Sequence, residues 1–131
     1  MVGILIVSHS EEVASGTKKL AEEMTQKPIP IAAVGGTKDD RLGTDSNLIY
    51  QALEKMDKSD GVIIFADMGS AVMNAEMAFE LFEPEVQEKF IVANAPIVEG
   101  AITAALESSF GRGRDEILEF LKAEDLLQKR S

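Results

Sequence analysis

The chain has 131 residues, a formal net charge of −10, one histidine and no cysteine. The missing cysteine excludes disulfides, thiolate nucleophiles and Cys-ligated metal, and fits a reducing compartment. The acidity disfavours nucleic acid and anionic membrane surfaces, which call for Lys/Arg clusters; it serves solubility or the steering of a basic partner.

Val2-Gly3-Ile4-Leu5-Ile6-Val7 is a continuous, β-branched-rich run, the pattern of a strand buried on both faces. It is too short for a secretory h-region, and no run approaches the roughly 18 apolar residues of a membrane span. The expected location is the cytoplasm, with no membrane partner. Glu11 to Met24 carries Val13, Leu20 and Met24 on a helical stripe, and Pro28 and Pro30 stop that helix. Ile29 to Val34 reads as a second strand. Gly35 to Thr44 is a polar connection with three glycines, and long loops in such folds tend to be functional. Thr44 or Asp45 caps a helix carrying Leu48, Ile49, Ala52, Leu53 and Met56. Val62 to Ala66 is a third buried strand. Ser70 opens a helix to about Phe82, Lys89 to Ala93 gives a fourth strand, and Ile97 to about Phe110 is helical. Gly111-Arg112-Gly113 breaks the chain before a last helix from Arg114 to about Leu127.

This order predicts an α/β fold of three layers, with a mainly parallel four-stranded sheet ordered 2-1-3-4 and helices on both faces. One domain is expected over residues 1–131, without repeat or linker. Ligands of open parallel sheets sit at the carboxyl ends of the strands. Ser8-His9-Ser10, Gly35-Gly36-Thr37, Asp67-Met68-Gly69-Ser70 and Asn94-Ala95-Pro96 all fall on that edge.

His9 follows the first buried strand there. A metal site needs further ligands, and no second His or Cys exists; Asp39-Asp40 is the nearest carboxylate pair, and no metal is expected. Ser8 and Ser10 adjoin His9, but adjacent residues at a strand end point to opposite sides and make a poor nucleophile–base dyad. The remaining role is His9 as the nucleophile itself. Neutral imidazole attacks a phosphoryl group to give a phosphoramidate, labile enough to pass the group on. Such a ring needs an acceptor on its second nitrogen. Asp67, at the end of the neighbouring third strand, either supplies it or caps the next helix. Candidate phosphate-binding residues are Gly69 and Ser70 at a helix N-terminus, together with Ser10, Gly36 and Thr37. Lys38 and Arg41 are either phosphate contacts or solvated loop charges.

The helix after Ser70 holds Val72, Met73, Met77, Phe79, Leu81 and Phe82, so it is expected to be covered on more than one side, by a second chain or by the last helix. Two other classes fit the chain less well. A receiver-like module phosphorylated at Asp67 needs an acidic pair after the first strand, where Ser8-His9-Ser10 stands. A flavin module needs aromatic walls, and aromatics are 5% of the chain.

Val7-Ser8-His9-Ser10, the loop from Gly35-Gly36-Thr37 to Leu42-Gly43-Thr44, and Ala66-Asp67-Met68-Gly69-Ser70-Ala71 together resemble the mannose-type enzyme IIA domains of the bacterial phosphotransferase system. The resemblance covers about residues 1 to 124. The sugar-transport branch carries Gly-Gly-Ser-Pro after the aspartate; Met68-Gly69-Ser70-Ala71 is closer to the phosphocarrier subunits of dihydroxyacetone kinases. The resemblance implies a phosphotransferase subunit with a phosphohistidine formed at Nε2 of His9 and oriented by Asp67. It implies phospho-HPr as donor, ADP held in the DhaL subunit as acceptor, and dihydroxyacetone on DhaK downstream. It also implies a homodimer and no cofactor bound by this subunit. Some relatives carry fused carrier domains; this chain ends after its last helix and is expected to use separate carriers. The alternative within the family is a sugar-transporter IIA domain passing phosphate to IIB.

Overall fold

The computed structural model describes residues 1–129. Its four strands are β1 (Gly3–Ser8), β2 (Ile31–Gly35), β3 (Val62–Ala66) and β4 (Phe90–Val92). All three pairings are parallel and the order is β2-β1-β3-β4, as the alternating pattern predicts. The helices are α1 (Glu11–Met24), α2 (Ser46–Lys55), α3 (Gly69–Phe79), α4 (Pro84–Gln87), α5 (Ile97–Ser109), α6 (Arg114–Glu119) and α7 (Ala123–Leu126). Among the described residues, no helix is long and apolar enough to cross a membrane.

β1 is buried along its whole length, because alternate residues face two cores. Ile4, Ile6, Ile63 and Phe65 pack with Ala14, Ala21, Ala101, Ala104 and Ala105 of α1 and α5. Leu5, Val7, Val62 and Ile64 pack on the other face with Ile49, Leu53, Ala71, Ala75 and Ala78 of α2 and α3. Fully burying one such aliphatic side chain is worth about 1.5–3 kcal/mol. Small residues on the helices let them sit close. A Cβ on Gly100 would lie 2.8 Å from the Phe65 ring, so α5 rests on Phe65 only because that side chain is missing.

Three expectations are corrected. The last helix is two pieces: α6 ends at Glu119 and α7 begins at Ala123, with Phe120, Leu121 and Lys122 between them. A short helix, α4, lies in the connection before β4, with Pro84 at its start, where a missing N–H costs nothing. The third correction concerns α3. Its alanines are buried, but Met73, Met77 and Leu81 are more than half exposed, as is Met68 just before it. Among the described residues α3 packs on the sheet and α2 while the final helices pack on the other core, so of the two expected covers the last helix is the one that falls away.

Candidate functional site

The carboxyl ends of β1 and β3 lie side by side. Val7 pairs with Ala66, which puts Ser8, His9 and Asp67 together just beyond the ladder. Ser10 then starts α1 as its N-cap, its hydroxyl accepting the Val13 N–H at 3.3 Å. That cap forces the chain to turn immediately after His9 and fixes where the ring emerges.

Asp67 grips this turn with both carboxylate oxygens. Oδ1 lies 3.0 Å from His9 Nδ1. Oδ2 accepts the His9 backbone N–H at 3.0 Å and the Ser8 hydroxyl at 2.8 Å. The Ser8 oxygen in turn accepts the Ser10 N–H at 3.1 Å. Partial burial pushes the Asp67 carboxyl pKa upward, but donation from the His9 ring, the His9 N–H and Ser8 outweighs it. The pKa is held below the ordinary carboxylate value, and Asp67 is an anion at neutral pH. An anionic acceptor at Nδ1 makes that nitrogen the N–H donor and leaves the lone pair on Nε2.

Nε2 meets Ser70 Oγ at 2.6 Å. With the lone pair on Nε2, the serine hydroxyl is the donor. The His9 and Asp67 side chains are 23% and 18% exposed, so both are part-buried and the ring can still be reached from outside. Asp67 does not cap α3. The cap residue is Met68, and among the described residues no side-chain capping bond closes the start of that helix. Gly69 and Ser70 therefore begin a helix whose positive end opens beside the ring, suited to an anion.

The loop after β2 reaches the same turn differently. A Cβ on Gly35 would lie 2.5 Å from Ser10 O and 2.6 Å from Glu11 Cα, so only glycine lets β2 end against the start of α1. Gly36 follows in the left-handed region at φ 76°. Thr37 is tied within the loop: its N–H donates to Arg41 O at 2.9 Å, and its hydroxyl oxygen accepts the Arg41 N–H at 3.3 Å. Gly43 N–H donates to His9 O at 2.8 Å, tying the loop to the residue that carries the ring. Farther along, Asn74 of α3 donates to the Thr44 hydroxyl. The structure thus joins His9, Asp67 and Ser70 by direct hydrogen bonds. It sets Gly69 and Ser10 next to them in the chain, and links Gly36 and Thr37 only through the loop. Lys38 and Arg41 are exposed. Asn94 and Pro96 line a hollow with Asp67, Met68 and Gly69.

Ser8 is the participant that sequence reasoning missed. Its place beside His9 suggests only a partner for that ring, whereas its hydroxyl serves Asp67. The available signal was a hydroxyl closing an otherwise apolar buried strand, since a buried polar group needs a partner.

The EIIA-man family model, described as the PTS system fructose IIA component, matches residues 3–118. A Listeria innocua protein, the phosphoryl donor subunit DhaM of PEP-dependent dihydroxyacetone kinase 2, is 39% identical over 121 residues, covering 92% of this chain and 97% of its own. The Lactococcus lactis phosphotransferase subunit DhaM of PTS-dependent dihydroxyacetone kinase is 38% identical, covering 92% and 93%. The Escherichia coli DhaM is 36% identical, and the match covers 90% of this chain but 26% of that longer protein. Among solved structures, EF1359, a protein of unknown function, superposes with a TM-score of 0.80 at 36% identity, covering 90% of both chains. The chain belongs to the EIIA-man family, among the DhaM phosphoryl donor subunits of dihydroxyacetone kinases.

Proposed function

We propose that His9 carries the phosphoryl group on Nε2, accepting it from phospho-HPr and delivering it to ADP held in a DhaL subunit, which then serves dihydroxyacetone on DhaK. The observation that carries this reading is the ring held at both nitrogens, Nδ1 on Asp67 and Nε2 facing Ser70 and the open start of α3. The names of the relatives, phosphoryl donor and phosphotransferase subunits, support the direction of transfer.

In the forward step the Nε2 lone pair attacks phosphorus, and the N–P bond to the donor's imidazole breaks with its electron pair leaving on that nitrogen. His9 keeps its Nδ1 proton, so the phosphorylated ring is cationic, and the Asp67 carboxylate beside it balances that charge. The α3 N-terminus faces the phosphoryl oxygens. In the onward step the ADP terminal oxygen attacks phosphorus, the N–P bond breaks, and the pair returns to Nε2. Gly69, Ser70 and Ser10 are the phosphate-facing residues in this reading, with Gly36 and Thr37 shaping the adjacent loop. The subunit binds no cofactor of its own and works in the cytoplasm. The exposed methionine face of α3 is the contact with a second copy, giving a homodimer.

The test incubates the chain with phosphoenolpyruvate, enzyme I and HPr and reads intact mass. One added phosphate is expected on the native chain and none on His9→Ala. An equal gain on both, or none on either, overturns the proposal. Addition of DhaL and ADP should discharge the carrier and yield ATP. Discharge to a sugar-transporter IIB domain instead would place the chain in the transport branch.

A further inference from the structure

Ser70 stands where phosphorus has to bond. Its hydroxyl oxygen lies 2.6 Å from Nε2, in hydrogen-bonding geometry about that ring nitrogen. An N–P single bond is shorter than that separation. A phosphorus atom bonded to Nε2 along this direction would therefore lie inside the van der Waals radius of the serine oxygen. The two cannot occupy the same line from the ring.

We propose that Ser70 is a displaceable cap on the nucleophile, a role that rests on the phosphohistidine reading above. In the unphosphorylated chain its O–H donates to the Nε2 lone pair. Together with Asp67 at Nδ1 this fixes the tautomer from both ends of the ring. As the N–P bond forms, the Ser70 side chain turns about χ1 to another staggered position, and its O–H passes from the nitrogen lone pair to an oxygen of the arriving phosphoryl group. One hydrogen bond is exchanged for another, and no proton is transferred. Ser70 is exposed at the first turn of α3. Exposed side chains change rotamer in picoseconds to nanoseconds, so the cap sets the state of the idle ring without limiting turnover.

The cap has a consequence that needs no partner protein to observe. The lone pair is occupied by an O–H whenever the carrier is idle, so any electrophile must first displace it. His9 is the chain's one histidine, and modification by diethyl pyrocarbonate, followed by its ultraviolet band, reports on that ring alone. The comparison uses Ser70→Thr, which keeps the hydroxyl, and Ser70→Val, which has the same shape without it. Above neutral pH, Ser70→Val should react about fivefold faster than the native chain, the factor matching a neutral hydrogen bond of ordinary net strength. Ser70→Thr should react at close to the native rate. Equal rates for Val and Thr would overturn the cap, because bulk alone would then explain the shielding. The functional reading fails separately: a native chain that takes no phosphate from phospho-HPr loses the carrier role, whatever the modification rates.

Discussion

Asp67→Asn is the sharpest test of the site, because it changes the hydrogen-bond direction without changing shape. Oδ2 accepts from two donors, the His9 N–H and the Ser8 hydroxyl. The asparagine carbonyl oxygen must take that place, since an NH₂ there would face both donors. The amide NH₂ is then turned to His9 Nδ1, which faces Oδ1 at 3.0 Å in the native site. A donor facing Nδ1 makes that nitrogen the acceptor and moves the ring proton to Nε2, removing the lone pair that attacks phosphorus. A hydrogen bond to an ionised partner is worth about 1.5–3 kcal/mol, which corresponds to roughly 10- to 150-fold in the population of the reactive tautomer. Loss of the carboxylate that balances the cationic phosphorylated ring adds to this. Asp67→Ala loses the same bond but lets water accept from Nδ1, so it should be impaired less. The expected order of phosphoryl acceptance in single-turnover rapid quench is native, then Ala, then Asn, with ¹⁵N spectra of the ring showing Nε2–H in the Asn variant. An Asn variant faster than Ala, or within a few-fold of native, would refute the tautomer argument.

The Asp67 carboxyl titrates below the unfolded value of about 3.9, so its ionised form stabilises the fold fully above that pH. That contribution is lost as pH falls through the lower folded value, and it should be missing from the urea-denaturation pH profile of Asp67→Asn. Ser8→Ala removes one donor to the anion and should move the Asp67 carboxyl titration upward, read by ¹³C NMR. Gly35→Ala places a methyl against backbone atoms of Ser10 and Glu11, and should cost about 1–3 kcal/mol in urea denaturation while slowing phosphoryl acceptance. Met73→Glu combined with Met77→Glu should give a monomer by light scattering where the native chain gives twice the mass; a monomeric native chain dismisses the paired α3 faces.

The sheet was legible because its central strands are uninterrupted apolar runs between helical stripes, and the strand order is the usual one of a doubly wound β-α series. Strand ends located the site for the same reason. The apolar run begins at Ile29 but β2 begins at Ile31, because apolar character does not reveal where ladder bonds start. Apolar content alone does not say which residues of α3 face the core of its own chain: small alanines take it and the larger methionines stay outside. The role of Ser8 was hidden because its partner is 59 residues away, and side-chain pairing at that separation is set by register. The bonds that Thr37 makes within its own turn, from its N–H and to its hydroxyl oxygen, depend on a loop geometry that composition does not carry.

The hydrogen bonds around Asp67 also bear on how the two central strands align. β1 and β3 are apolar toward both layers, so sliding one past the other by a residue exchanges hydrocarbon for hydrocarbon and meets little resistance from polarity. The same slide would carry Asp67 away from the Ser8 hydroxyl and the His9 N–H. It would leave a part-buried carboxylate short of donors, at a cost of about 1–3 kcal/mol or more for a charged group. The polar end of the strand pair thus acts as a key for its registry, and the residues that aim the imidazole also select the one alignment in which the hydrophobic layers close correctly.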